Sequence, residues 1–295
     1  MEKRGNFLLM NRSEFRDWLA GQKITHKITK LQVHHTASPN YTTRKIVNGI
    51  ACQDHFACLE GMRAYHLSQG WSGTGQNITT FEDGKIAISL DRDLNATPAG
   101  IKGANTGALC VENVGNFDKG GDVITPAQRE TIVHLYACLC EKLGLAPSIN
   151  TIVYHAWYKA DGTWLGDYVA GESSKTCPGT NFWGDGNTKA AALKGFIPAV
   201  VAELERLKNG GDCEMTAEEK AAFKALQETV EAQAKKIATL EANAKMVDIP
   251  AWAVDACVAA KRAGAVDTTA GGSYDFYRLI TVMYRRGFFD TKEAA

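Results

Sequence analysis

Residues 27–35 read KITKLQVHH, a run in which apolar and polar side chains alternate before a pair of histidines. Alternation of this kind predicts a β-strand, whose successive side chains point to opposite faces of a sheet. Val33 and His35 then share the face that we expect to lie against the core, and Gln32 and His34 share the other. The alternation favours His34 over His35 as a functional side chain, although both histidines could instead be packed or surface residues.

Two distant stretches carry side chains that could bind a metal ion together with His34. They are IVYHAW, which contains His155, and SKTCPG, which contains Cys177. Zn²⁺ accepts two histidines and a cysteine, and three protein ligands leave a fourth position open for water, as in catalytic sites. A closed structural site with His35 as a fourth ligand is the alternative, and strand alternation argues against it.

The length, charge balance and cysteine content of the chain indicate which classes of protein are compatible with it. The chain has 295 residues, enough for about two domains, and its 33 basic residues equal its 33 acidic ones. This balance gives no bulk charge that would favour nucleic acid. The eight cysteines do not suggest a disulfide framework, because the chain is large and two of them, Cys138 and Cys140, fall in a helical pattern.

The N-terminal stretch MEKRGNFLLMNRSEF has four consecutive apolar residues, too few for the core of a signal peptide. No other stretch is long and apolar enough to span a bilayer. We therefore expect a protein that is made in the cytoplasm without a signal peptide and does not insert into membranes.

Local signals predict several elements outside the functional stretches. Residues 13–20 suggest a helix capped by Ser13 and ended by Gly21. Asp83-Gly84 predicts the turn of a hairpin. Thr125-Pro126-x-Gln128 predicts a helix opened by a capping box, which Gly144 ends. Further along, residues 188–208 look helical, with a break or restart at Pro198.

Glu112 lies inside ALCVENVG, a mostly apolar run that predicts a buried strand. A carboxylate there is costly unless it is paired, binds a metal or is used in chemistry. The alternative is a residue at the edge of the sheet that faces water. His155 also ends a predicted strand, and the long segment 158–176 leads from it to Cys177. A loop of this length inside a compact domain is usually functional.

The composition changes after Asn209-Gly210-Gly211-Asp212, which we interpret as a boundary. We predict three segments, residues 1–208, 209–247 and 248–295. The second contains a helix capped by Thr216 and Glu219. Its apolar residues fall at alternating three- and four-residue steps, and Gln233 fills one position: Phe223, Leu226, Val230, Ile237 and Leu240.

This heptad pattern predicts either a short coiled coil that forms a homo-oligomer through residues 216–246 or a single helix lying on a domain. The third segment predicts two helices, which Gly264 and Gly287 end.

The motifs HHTAS, ALCVENVGNFD, VYH and KTCPG, in this order, resemble the zinc-dependent N-acetylmuramoyl-L-alanine amidases of type 2. That family also includes the animal peptidoglycan recognition proteins. The resemblance covers roughly residues 7–190 and is greatest to endolysins of phages and prophages of Gram-positive bacteria. It implies an α/β fold with a central mixed β-sheet flanked by helices and a zinc groove. Here a helical linker and a small all-helical segment follow.

The resemblance also implies the site residues. The zinc ligands correspond to His34, His155 and Cys177, and the catalytic residues to Glu112 and Lys175. The reaction implied is hydrolysis of the amide bond between N-acetylmuramic acid and L-alanine, by attack of a zinc-bound water. Further residues that we expect to line the groove and bind substrate are Thr36, His66, Gln76 and Asn105.

Two departures from the family pattern affect these expectations. Many members have an active-site tyrosine where this chain has Gln76, and an amide can donate a hydrogen bond but cannot relay a proton. Acid-base work should therefore fall on Glu112. The interval from His155 to Cys177 is also longer than in many members, which changes one side of the groove.

The expected partner is bacterial peptidoglycan, and the expected role is lysis of the host cell wall after release through a phage-made membrane lesion. Such an enzyme would also be antimicrobial. A non-catalytic peptidoglycan-binding protein and a bacterial autolysin are the alternatives. A complete metal set together with Glu112 and Lys175 favours an enzyme. The tail only loosely resembles helical cell-wall-binding segments.

Overall fold

A computed structural model of the chain describes residues 1–47, 50–209 and 217–290, with the side chains of 217–223 left out. The chain divides into two compact units, Met1–Asp212 and Cys213–Ala295, and each is described by itself. The predicted boundary at Gly210–Asp212 and the predicted cap at Thr216 lie outside the described residues. The side chain of Phe223 is outside them as well.

The first unit is built on a mixed sheet of seven strands in the order β1-β2-β7-β6-β8-β3-β9, and β4 and β5 form a separate small hairpin. In chain order the strands are β1 (Glu2–Arg4), β2 (Phe7–Met10), β3 (Lys30–His35), β4 (Ile46–Val47), β5 (Ile50–Ala51), β6 (Ile78–Thr80), β7 (Ile86–Ser89), β8 (Ala108–Asn113) and β9 (Ile152–Tyr154).

The strands that matter for function form the parallel half of this sheet. β6, β8, β3 and β9 run parallel, whereas β1, β2 and β7 add antiparallel pairs. The predicted hairpin at Asp83-Gly84 joins β6 to β7 and is confirmed. Leu31, Val33 and Val111 are fully buried in the central strands, as expected for parallel strands that are covered on both faces.

Helices cover the two faces of the sheet unequally. The helices of this unit are α1 (Arg12–Ala20), α2 (His55–Ser68), α3 (Pro126–Leu143), α4 (Lys189–Ala191) and α5 (Ile197–Lys208). The core formed with Leu31 and Val33 includes residues of α1, α3 and α5. A second, smaller core joins Phe56 and Leu59 of α2 to Phe7 of β2.

The start of α1 differs from the prediction. Its N-cap is Asn11, whose backbone N–H donates to Glu14 Oε2 at 2.8 Å. Ser13 already lies inside the first turn, so the predicted cap at Ser13 was wrong. The physical reason is that Glu14 stands three residues after Asn11, the spacing that a capping box requires. Gly21 ends the helix as predicted.

One of the two hydrogen bonds of the predicted capping box is present at the start of α3. Thr125 Oγ1 accepts a hydrogen bond from Gln128 N at 3.1 Å, and Gly144 ends the helix with φ of +65°. The expected return bond, in which Thr125 N donates to the Gln128 side chain, is replaced. Gln128 Nε2 instead donates to Val114 O at 3.0 Å, and Thr125 N donates to Tyr41 Oη at 3.4 Å. A buried amide here ties the helix to the sheet.

The predicted restart at Pro198 takes the form of a change of helix type. α4 continues into a π-helical turn, Ala192–Phe196, and Pro198 lies in the first turn of α5. The ring of Pro198 fixes φ near the helical value, and the cost of a proline there is the N–H that it cannot donate.

The second unit is helical, with α6 (Ala217–Ala244), α7 (Val254–Arg262) and α8 (Tyr274–Arg285). α7 and α8 pack around a small core that includes Cys257, Tyr277 and Ile280. Gly264 and Gly287 follow these helices with φ of +67° and +76°, which confirms the predicted stops.

The expectations about membrane spans and disulfides concern the helices and the cysteines of the described residues. Within them no helix is both long and apolar enough to cross a membrane. The cysteines of the described chain are free, and these are Cys52, Cys58, Cys110, Cys138, Cys140, Cys177 and Cys257.

Candidate metal centre and active site

The register of three parallel strands brings the predicted site residues to one edge of the sheet. In the pairing of β3 with β8, His34 lies directly opposite Glu112. In the pairing of β3 with β9, Val33 lies opposite Tyr154, so His155 follows at the level of His34. Paired residues point to the same face, and the side chains of His34, Glu112 and His155 therefore converge.

Three buried donor atoms meet at this edge. His34 Nδ1 lies 3.3 Å from His155 Nδ1 and 3.5 Å from Cys177 Sγ. The three side chains could hold one metal ion, since their ligand atoms all lie within 4.8 Å of one another. The sequence therefore identified a group of residues that the fold does bring together.

The long loop 158–176 delivers Cys177 to this point through backbone contacts. Ala156 N donates to Cys177 O at 2.7 Å, and His35 N approaches Cys177 Sγ at 3.4 Å. Further along the loop, Asn187 Nδ2 donates to Thr176 O at 2.7 Å. The thiol is thereby held between the ends of β3 and β9.

His35 has a different environment from His34. Its Nδ1 accepts a hydrogen bond from Phe117 N at 3.1 Å, and its ring contacts that of Phe117. The metal-binding group that contains His34, His155 and Cys177 does not include it. The geometry gives no support to a closed site with His35 as fourth ligand.

Burial sets the protonation of the donor atoms. It holds the pKa of His34 well below its usual value, assisted by His155 and Lys175. Burial, with Lys175 next, lowers the pKa of His155 to about 4. Both imidazoles are thus neutral near pH 7 and can offer lone pairs. Burial also raises the pKa of the Cys177 thiol far above its ordinary range, so a nearby cation is needed to favour the thiolate.

These properties fit a zinc ion. Two neutral imidazoles and a thiol with converging donor atoms form a ligand set typical of Zn²⁺ with an open position. The facing Nδ1 atoms of His34 and His155 can share only one hydrogen between them, whereas a cation would use both lone pairs.

Glu112 stands beside this group. Its Oε1 lies 3.9 Å from His34 Nδ1, and a fifth (20%) of its side chain is exposed. Its Oε2 is buried and has no hydrogen-bond partner among the described residues. Burial raises the pKa of this carboxyl group to about 8, against a lowering effect of Lys175. Glu112 can therefore hold or release a proton near neutral pH.

A groove of about 1000 Å³ opens above these residues. Thr36, His66, Gln76 and Lys175 line it, as expected from the sequence, together with the three donor residues and Glu112. Lys175 is exposed, so its cation can reach a ligand in the groove. One wall is formed by α2 through Cys58, Gly61, Met62, Tyr65, His66 and Gln69.

The side chains of the lining residues are partly engaged in the protein itself. Gly115 N donates to Thr36 Oγ1 at 3.0 Å, and Gly75 N donates to His66 Nδ1 at 3.1 Å. Gln76 Nε2 donates to Thr79 Oγ1 at 3.0 Å, which leaves the buried Gln76 Oε1 without a partner in the described chain. Gln76 thus presents an acceptor where we expected a donor.

Asn105 is the exception among the expected substrate-binding residues. It is absent from the residues that line the groove. Its Oδ1 accepts hydrogen bonds from Gly100 N at 3.0 Å and Ile101 N at 2.8 Å. The expectation that Asn105 lines the groove was wrong, because its side chain closes the turn of its own loop.

The sequence analysis missed two features of the site. Trp71 lies against His66 with ring centroids 4.7 Å apart and planes 12° apart, and Tyr65 is 63% exposed beside it. Gln32, next to His34 on the same strand face, is fully buried with its amide against the His34 ring. The alternation of β3 was the signal that could have identified Gln32.

Comparison with known proteins places this geometry in a family. Residues 24–180 match the family model described as N-acetylmuramoyl-L-alanine amidase. No curated protein gave a match.

Solved structures that are similar to the chain include two endolysins and a Drosophila PGRP. The endolysin N-acetylmuramoyl-L-alanine amidase LysCS from Clostridium intestinale URNW has 21% identity and a TM-score of 0.37, with 57% of this chain and 83% of that one covered. The Ph2119 endolysin from Thermus scotoductus MAT2119 bacteriophage Ph2119 has 21% identity and a TM-score of 0.37, covering 61% and 95%. Drosophila PGRP-LB has 16% identity and a TM-score of 0.40, covering 54% and 78%.

The family model spans more than half of the chain and includes the segments that carry His34, Glu112, His155 and Cys177. The chain therefore belongs to the N-acetylmuramoyl-L-alanine amidase family.

Proposed function

We propose that this protein is a zinc-dependent amidase that cleaves the bond between N-acetylmuramic acid and the L-alanine of the peptidoglycan stem peptide. The observation that carries the proposal is the convergence of His34, His155 and Cys177 beside Glu112 on the floor of an open groove. We further propose that it acts on the cell wall as a phage or prophage endolysin.

The three donors would hold Zn²⁺, which supplies a polarised water and a Lewis acid when it is bound. Glu112 is placed to take the proton from the attacking water. Its unpartnered Oε2 and the raised pKa of its carboxyl group both suit temporary proton storage. The same group then gives the proton to the nitrogen of the leaving alanine.

Lys175 supplies positive charge at the side of the groove. Its ammonium group is near enough to lower the pKa values of His34 and His155 through space. We propose that it stabilises the oxyanion that forms when the amide carbonyl is attacked, a contribution typically worth about 10²–10³ in rate. Gln76 takes the position where many relatives have a tyrosine, so proton transfer rests on Glu112.

A binding protein that does not cut peptidoglycan is the rival function. Such a protein needs a groove but needs neither a buried thiol beside two neutral imidazoles nor an unpartnered carboxylate next to them. The exposed Tyr65 and Trp71 suit stacking on sugar rings in either case. The metal group and Glu112 therefore favour the enzyme.

The first prediction concerns the metal. The parent chain should contain one zinc per molecule, and Cys177→Ser should lose most of it, because a hydroxyl group is a far poorer ligand than a thiolate. Metal analysis after dialysis measures this, and Cys58→Ser, which removes another buried cysteine that lines the groove, is the matched control. A Cys177→Ser protein with full zinc and full activity would remove Cys177 from the site.

The second prediction concerns Glu112. Glu112→Gln should keep its zinc but lose roughly 10²–10⁴ in turnover, the usual contribution of general acid-base catalysis. The assay is incubation with purified cell wall, followed by measurement of new amino groups on alanine and of new reducing sugar ends. Only the amino groups should appear with the parent enzyme. A variant within a few-fold of the parent rate would reject the role of Glu112.

The third prediction concerns the division of labour along the chain. We propose that residues 1–208 form the catalytic domain, that residues 209–247 are a linker with the heptad helix and that residues 248–295 bind the cell wall. All the metal and acid-base residues named above precede Lys208. A chain that ends at Lys208 should hydrolyse soluble muropeptide at the parent rate and bind intact walls more weakly, as a sedimentation assay with whole walls would measure. Equal wall binding would assign the tail to folding or solubility instead.

A further inference from the structure

We propose that Gln32 is a positioning residue that fixes the protonation of the His34 ring, so that its Nδ1 presents a lone pair to the metal. This inference rests on the metal site proposed above. It comes from the hydrogen bonds of a buried amide that the reaction itself does not use.

The orientation of the Gln32 amide follows from its partners. Its Nε2 lies 2.9 Å from Ala104 O and 3.3 Å from Asn105 Oδ1. A backbone carbonyl can only accept a hydrogen bond, so the NH₂ group of Gln32 must face Ala104. The Oε1 atom is then directed the other way, toward His34.

The protonation of His34 follows from the orientation of Gln32. Oε1 lies 3.3 Å from His34 Nε2, and an amide oxygen can only accept. Nε2 must therefore carry the hydrogen of the neutral ring, and Nδ1 is left with its lone pair. Nδ1 is the atom that faces His155 and Cys177. A metal-ligating histidine commonly gives its other N–H to such an acceptor, which fixes the ring and its tautomer.

The loop 100–105 closes over this hydrogen bond. A Cβ atom at Gly100 would lie 2.2 Å from Gln32 Oε1 and 3.1 Å from His34 Nε2, so a larger residue would displace the amide. Asn105 holds the loop in place through its bonds to Gly100 N and Ile101 N. Asn105 thus acts on His34 through Gln32 instead of touching the substrate.

The test begins with the metal-free protein, in which ¹⁵N NMR distinguishes the two ring nitrogens of His34. The parent should show a single form with hydrogen on Nε2. Gln32→Leu removes the acceptor, so the ring should populate both neutral forms, and zinc affinity should fall about 10–100-fold. Gln32→Glu, in its protonated form, keeps an acceptor oxygen for His34 Nε2 and a hydroxyl donor for Ala104 O, and it should retain the Nε2–H form and most of the zinc affinity.

Gly100→Ala tests the same hydrogen bond without changing either of its partners. It should reproduce the loss of zinc affinity seen in Gln32→Leu. Gly61→Ala is its matched control, because Gly61 also lines the groove but a Cβ there would have nothing within 4 Å. Gly61→Ala should bind zinc as the parent does.

The outcomes separate the two proposals. A parent protein that binds no zinc would reject the proposed function, while the NMR result would still decide the role of Gln32. A Gln32→Leu protein with a single Nε2–H form, and with the zinc affinity of the parent, would overturn the inference.

The exposure of α6 along its length leads to a second, independent inference. Every side chain from Lys224 to Ala244 is exposed. The large apolar residues among them, at spacings of four, seven and three residues, are more than half exposed: Leu226 60%, Val230 55%, Ile237 54% and Leu240 59%. An apolar stripe on a helix of this kind is stabilised mainly by packing against a partner. We infer that the partner is α6 of a second copy in a parallel two-stranded coiled coil.

The residue types along the stripe favour two parallel strands. In a heptad abcdefg, Val230 and Ile237 take a positions, and Leu226 and Leu240 take d positions. β-branched residues at a with leucine at d favour parallel dimers. Gln233 takes the remaining d position, where two facing amides can bond only when the copies are in register.

Charge complementarity supports the parallel direction. Lys236 takes a g position and Glu241 the following e position. In a parallel pair a g residue faces the e residue five places later in the partner, so Lys236 of each copy meets Glu241 of the other. In an antiparallel pair g faces g and e faces e, and these two charges cannot meet.

The oligomeric state of the full chain tests this inference by sedimentation equilibrium. The parent should be a dimer in equilibrium with monomer, and Ile237→Lys should be a monomer. Ala238→Lys adds the same charge one residue along, on the outer face, and should leave the dimer intact. A monomeric parent, or a trimer, would contradict the inference.

The direction of the helices has its own test. Lys236→Glu should weaken the dimer roughly tenfold, since it removes two exposed ion pairs. Adding Glu241→Lys should restore the dimer only in the parallel arrangement. Gln233→Cys should form a disulfide between copies on oxidation, beyond the background of the parent, whereas Glu228→Cys on the outer face should not. Failure of both the charge exchange and the cross-link would exclude a parallel pair.

Discussion

The hydrogen-bond register between β8, β3 and β9 is the constraint on which the site depends. It sets His34 opposite Glu112 and Val33 opposite Tyr154, and through these pairs it fixes which side chains meet at the sheet edge. A slip of one residue would turn a whole strand over and send its ligand to the opposite face. The core helps to hold this register, since Tyr136 Oη of α3 donates to Gln32 O of β3 at 2.9 Å.

The same arrangement gives the site its chemistry by excluding water. His34, His155 and Cys177 are at least nine-tenths buried, so charged forms of the imidazoles and the thiolate are disfavoured. Neutral imidazoles suit metal binding, whereas the thiol must lose its proton on binding. Glu112 and Lys175 line the same groove and are more exposed than the three donors. Burial raises the pKa of Glu112 to about 8, although the cation of Lys175 lowers it. This carboxyl group can therefore gain or lose a proton near neutral pH.

Much of this arrangement could be predicted because strand alternation is a local property. The alternation in β3 separated His34 from His35, and the apolar run of β8 made Glu112 conspicuous. Their convergence followed from parallel strands ending at one edge. The chain itself gave less information about Cys177, because the loop that carries it has no periodic pattern, and only its residue type and the family resemblance marked it.

The partner of a polar side chain was harder to predict. Asn105 has the residue type of a groove lining, but its Oδ1 binds backbone N–H groups a few residues away. Gln128 stands at a capping-box position, but its amide donates to the carbonyl of Val114, the residue that follows β8. Which hydrogen bond such a side chain makes depends on neighbours that only the tertiary structure supplies, and the same is true of Gln32.

The wide separation of the site residues has a consequence for synthesis of the chain. Cys177 stands 143 residues after His34 and His155 stands 121 residues after it, although their donor atoms are in contact. A nascent chain has β3 long before it has β9, so no early fragment contains the donors. The group of three donor residues is thus incomplete until the ribosome has made the greater part of the first unit, and a chain that ends before Cys177 lacks one of its members.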